Sequence, residues 1–138
     1  MADALSAAEA VPVAEFRAAL RGFLRTSERN ARAAGLTPQR YLLLLMIKGA
    51  PDQSEQSTVT ELAERLQLAQ STVTELVSRA EEIGLVERER SSDDGRIAIL
   101  RLAPEGERRL AQVFTSNARE RQALRRAFEQ LQSTGLPA

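Results

Sequence analysis

Thr58 to Leu102 reads TVTELAERL, QLA, QSTVTELVSRAEEIG and LVERERSSDDGRIAILRL, and this stretch decides the fold. The first and third pieces carry apolar residues at helical spacing, and QLA is long enough only for a turn. In the last piece two alternating runs, Leu85 to Arg90 and Ile97 to Leu102, flank Ser91-Ser92-Asp93-Asp94-Gly95-Arg96. Asp and Gly supply the turn, so the runs pair as a hairpin. Helix, turn, helix and an arginine-bearing hairpin form a winged helix-turn-helix, which places one helix in the major groove of duplex DNA and the hairpin beside it.

The outer segments extend this reading. Val13, Phe16, Leu20, Phe23 and Leu24 recur at three- and four-residue steps, which predicts a helix to about Ala33, and Gly35 suits its left-handed exit. Thr37 and Pro38 are an N-cap and first-turn pair for a helix to Lys48, apolar nearly all round and therefore central. After the polar loop Gly49 to Ser57, Thr60 serves as the next N-cap, with Leu62, Ala63 and Leu66 facing inward. The following helix buries Val73, Leu76, Val77, Ala80 and Ile83, and Gly84 ends it. Pro104 opens one long helix to about Gln132, its periodicity interrupted by the polar stretch Thr115 to Gln122. The expected class is mainly α with a small β-hairpin wing (α+β). Residues 1–12 are a disordered N-terminus, 13–35 an N-terminal dimerisation helix, 36–103 the winged domain and 104–138 a C-terminal dimerisation helix.

Composition narrows the chemistry. The 138 residues carry no Cys and no His, so thiol nucleophiles, disulfides, thiolate zinc sites and catalytic imidazoles are excluded. The only adjacent carboxylate pairs, Glu81-Glu82 and Asp93-Asp94, diverge on a helix and a turn, so no catalytic residue, cofactor or metal is expected. The longest apolar run, Tyr41 to Ile47, is far below the roughly 20 residues of a membrane span, which points to a cytoplasmic chain without a membrane partner. Formal charge is zero, so contact with DNA has to come from a local patch.

That patch has two parts. A reading helix needs short polar side chains because base edges lie in a groove only about 12 Å wide. Gln70, Ser71, Thr72, Thr74, Glu75 and Ser78 supply them; Gln pairs with adenine, hydroxyls with bases or phosphates, and Glu75 accepts from a cytosine amino group. In the hairpin, Arg88, Arg90 and Arg96 are the DNA candidates, offset by Glu87, Glu89, Asp93 and Asp94. Arg96 stands at the tip, where a guanidinium reaches the negative minor groove, and Asp94 supports it rather than touching DNA. A winged module that binds protein without reading DNA is the alternative permitted by zero net charge.

The chain resembles the MarR family of bacterial transcription regulators over about residues 13–132. The resemblance is carried by Leu36-Thr37-Pro38-Gln39, Thr58-Val59-Thr60-Glu61-Leu62-Ala63, Gln70-Ser71-Thr72-Val73 with Arg79, and Gly84-Leu85-Val86-Glu87-Arg88. Asp94-x-Arg96, followed after five residues by Leu102 and then Pro104-Glu105-Gly106, is its most specific part. It implies a homodimer with interlocking terminal helices that binds a pseudo-palindromic operator in double-stranded DNA, as a repressor or an activator, and in many members of the family a small aromatic effector that releases it. Ser71, Thr72 and Thr74 then lie on the reading helix and Arg96 at the wing tip. Tyr41, Met46 and Phe114 are candidate effector-pocket walls, with ordinary core packing as the alternative. Ala69 and Ala103 replace the family's usual Ser or Thr caps, Arg40 replaces a frequent Gln, and the C-terminal segment is shorter than in many relatives.

Overall fold

The computed structural model describes residues 3–134, so the outermost parts of the expected N-terminal segment and C-terminal helix, residues 1–2 and 135–138, lie outside the described residues. The elements are α1 (Ala7–Ala33), α2 (Pro38–Lys48), α3 (Val59–Leu66), α4 (Gln70–Glu82), β1 (Val86–Arg90), β2 (Ala98–Leu102), α5 (Pro104–Ser116) and α6 (Ala118–Ser133). Two compact units divide the chain: Ala31–Val113, and Met1–Asn30 with Phe114–Ala138.

In the Ala31–Val113 unit, Leu43, Leu44 and Ile47 of α2 are wholly buried with Leu62, Val73, Val77, Leu85 and Leu100, so α2 is the centre of the lobe as its sequence predicts. Thr37 accepts from the Arg40 amide at 3.2 Å and Pro38 fills the first turn. Gly35 and Gly84 both have φ near +80°, which a side chain would strain. The hairpin pairs Val86 with Leu102, Arg88 with Leu100 and Arg90 with Ala98, and Ser57 adds one bridge to Leu100 on the other side.

Two expectations inside this unit change. The cap of α3 is Thr58, not Thr60: Thr58 accepts from the Glu61 amide at 3.2 Å while Glu61 accepts from the Thr58 amide at 2.9 Å, a reciprocal box that starts the helix two residues earlier. Thr58→Ala is expected to destabilise the protein by about 1 kcal/mol, read as a lower urea midpoint with unchanged slope. Ile83 is 47% exposed because α4 ends at Glu82 and Ile83 falls out of helical phase. At the start of α5, the Arg108 and Arg109 guanidiniums hold the Glu105 carboxyl down at about 2, and Arg109 also donates to the Gly35 carbonyl at 3.2 Å.

In the other unit, α1 begins at Ala7, so residues 7–12 are helical and not disordered. Ser6 and Glu9 form the start: the Glu9 amide donates to the Ser6 hydroxyl at 3.1 Å, and that hydroxyl donates to the Glu9 carboxylate at 2.8 Å. The C-terminal helix is not continuous. It breaks at Asn117, only 1% exposed, whose amide donates to Ser27 at 3.1 Å and accepts from Asn30 at 2.7 Å. A buried amide left unpaired costs far more than a neutral substitution, so the backbone yields to satisfy it. Arg121 takes the Phe114 carbonyl at 3.1 Å and lies 3.8 Å over the Phe114 ring. Phe16 and Phe128 pack with ring centroids 6.0 Å apart, yet Val13, Leu24, Phe114 and Phe128 keep between 46 and 57% of their surface exposed.

Candidate nucleic-acid interface

The turn Gln67 to Ala69 sets α4 against α3. Gln67 closes α3 with φ 57°, and Ala69 caps α4 without a side-chain hydrogen bond, so the first-turn amides of α4 have no side-chain partner from the cap. Burial of Val73, Val77 and Ala80 against α2 and α3 turns the opposite face outward. Gln70, Ser71, Thr72, Thr74 and Glu75 are all exposed, and Ser78 is half-buried at the edge of this face. The Gln70 amide reaches Thr60 at 3.4 Å.

Glu75 is paired with Arg79 one turn on, at 3.1 Å. Both line a cleft of about 450 Å³ between α4 and the start of α2, with Thr37, Gln39, Arg40 and Thr72 among its other walls. Arg40 and Arg79 are candidate residues absent from the sequence-derived site. Arg79 was legible as the i+4 partner of Glu75, whereas the approach of Arg40 to α4 is a long-range contact without a local signal.

The wing sorts its arginines. Arg88 is tied to Glu81 at 3.2 Å, and Arg101 to Glu87 at 3.4 Å and Glu89 at 2.9 Å. Arg90 donates to the Gly95 carbonyl at 2.5 Å and so braces the tip from within. Ser91 accepts from the Asp93 and Asp94 amides, which shapes the turn. Arg96 alone projects: its side chain is 92% exposed, held only by Asp94, which accepts from the Arg96 amide at 3.0 Å and from Nε at 3.3 Å. The Ala31–Val113 unit holds eleven cationic and thirteen acidic residues, so the lobe as a whole is net negative and its cations matter by position.

Tyr41 is buried in the core and Met46 half-buried against it, while Phe114 is 57% exposed beneath Arg121. Among the described residues, no group of three or more acidic side chains is placed to hold a metal ion.

A helix-turn-helix followed by a two-stranded hairpin defines the winged helix-turn-helix class. Residues 34–97 match the family model of the MarR family. No curated protein matches the chain in sequence. Among solved structures, a mutant of MarR from E. coli complexed with operator DNA is similar with TM-score 0.66 and 20% identity, covering 88% of this chain and 90% of that one. A mutant of S. aureus MepR bound to an oligodeoxyribonucleotide gives 0.67 and 19%, over 79% of this chain and 78% of that one. The PcaV transcriptional regulator from Streptomyces coelicolor, in complex with its natural ligand, gives 0.53 and 32%, over 62% and 58%.

Proposed function

We propose that the protein is a sequence-specific DNA-binding transcriptional regulator, acting in the cytoplasm as a homodimeric repressor on a pseudo-palindromic operator. The observation that carries this reading is the bare outer face of α4, where Ser71, Thr72, Thr74 and Glu75 stand exposed over a fully buried Val73 and Val77. Nothing in the lobe's own packing requires hydroxyls in that run, whereas base edges do. The wing-tip arginine, Arg96, 92% exposed and paired only with Asp94, supports a second contact.

Dimerisation is supported by the apolar side chains left exposed in the helical unit, Val13, Leu24, Phe114 and Phe128. Large apolar surface of this kind marks an association face. Two linked readers also raise affinity through effective concentration, which a lobe without a basic field needs. Among the described residues no helix is long and apolar enough to cross a membrane. Release by a small aromatic effector is the further part of the reading; the solved structure of PcaV shows that a similar chain takes up a ligand. One observation favours a different role: the negative net charge of the winged lobe suits a module that docks on a protein instead of DNA.

Selection of bound fragments from random duplex DNA separates the two. The regulator reading expects enrichment of an inverted repeat with half-site centres about 10 bp apart, and two chains per duplex by sedimentation. A folded protein that returns an unenriched pool supports the protein-docking role instead.

A further inference from the structure

We infer that Glu75 is the residue that makes this protein demand cytosine at one position of each half-site, with Arg79 as the positioning residue that holds it. The inference rests on the reading of α4 as the helix that enters the major groove.

A carboxylate only accepts hydrogen bonds. Of the groups that base pairs present in the major groove, the only donors are the amino groups of cytosine and adenine. Adenine's amino group stands between its own N7 and the O4 of the paired thymine, both acceptors, so two carboxylate oxygens placed there face repulsion on either side. Cytosine's amino group has an acceptor, the O6 of the paired guanine, on one side only and a C–H edge on the other, so a carboxylate that approaches from the C–H side meets less repulsion. Glutamate is therefore a cytosine reader, and glutamine, with one donor and one acceptor, is an adenine reader.

Position and charge both suit the role. Glu75 lies one turn beyond Ser71 and Thr72 on the exposed face, and its side chain is 67% exposed. A bare carboxylate would be driven off by the flanking phosphates. Arg79, 3.1 Å away, cancels that charge, and Arg40, which forms no ion pair among the described residues, lines the same cleft. The cleft is thus net positive although it contains a carboxylate. An exposed ion pair one helical turn apart contributes little to stability, so folding alone gives no reason for this acid on the reading face.

The test is parallel selection from random duplex DNA with full-length wild-type protein, E75Q and E75A. Glu75 packs against nothing in the core, and thermal melting of the three proteins should coincide. Wild type is expected to enrich cytosine at one position per half-site. E75Q is expected to lose that cytosine and favour adenine at that position alone, and to bind the wild-type-selected duplex about tenfold or more weakly. E75A is expected to lose the preference without gaining another. If E75Q and wild type return the same sequence, Glu75 reads nothing and this inference fails while the DNA-reading function stands. A wild-type pool without enrichment overturns both together.

Discussion

Gly106→Ala is expected to destabilise the protein by about 3 kcal/mol or more, the largest stability effect of any single methyl addition in the winged lobe. A Cβ built at Gly106 would stand 2.2 Å from the carbonyl oxygen of Leu85 and 3.1 Å from its carbon. Both are backbone atoms, and no flexible side chain can move aside. The same oxygen accepts from the Ala103 amide at 2.9 Å, so displacing it breaks the bond that joins the end of β2 to the start of β1. Leu85 is itself fully buried. The strain therefore falls where α4, the wing and α5 meet. For a domain of this size the loss corresponds to a melting temperature lower by about 10 °C. Thermal and urea melts of Gly106→Ala beside Gly95→Ala, where an added Cβ meets nothing within 4 Å, check it. Equal melts for the two variants would show that the close approach of α5 to Leu85 is wrong.

Gly106 also marks what sequence could and could not reveal. Features that act over four residues were legible: the Thr37-Pro38 start of α2, the left-handed glycines after α1 and α4, and the Asp-Gly turn of the wing, all of which the structure shows. The buried centre of the lobe was legible too, because α2 is apolar on nearly every side. Three misreadings have local causes. Ser6 and Glu9 start α1 through a capping box that lies well ahead of Val13, the first residue of the apolar periodicity, so periodicity alone drew the boundary too late. Thr58 and Thr60 are equally good caps by type, and only the reciprocal bond to Glu61 decides between them. Ile83 keeps helical phase on paper for one residue longer than the helix lasts. The break at Asn117 has another cause. Its amide bonds reach back to Ser27 and Asn30, nearly ninety residues earlier, and periodicity recorded only an interrupted pattern. Of the candidate site, the exposed run on α4 and the Asp94-Arg96 pair were readable. The grouping of Arg40 with Arg79 and Glu75 required the packing of α2 on α4.

Arg96→Ala is expected to weaken DNA binding by about ten- to a hundredfold while leaving the fold intact. With 92% of its side chain in solvent and Asp94 as its only ion-pair partner, Arg96 contributes almost nothing to the lobe's own stability. Whatever affinity depends on it arises at the DNA. Of the wing's arginines, Arg88 and Arg101 are neutralised by glutamates and Arg90 is spent on the Gly95 carbonyl. Within the wing, the loss of its one projecting cation is therefore not made up by its neighbours. A guanidinium in a narrow minor groove gains from the focused negative potential there, and the proposed homodimer would lose two such contacts at once. Binding isotherms on a selected duplex at several salt concentrations should show a shallower slope, by about one for each contact removed. Arg96→Lys separates charge from shape: it should keep the wild-type slope yet recover only part of the affinity, because an ammonium lacks the planar fork and is more strongly hydrated. Wild-type affinity and slope in Arg96→Ala would mean that the wing tip stays in solvent, leaving α4 alone to hold the duplex.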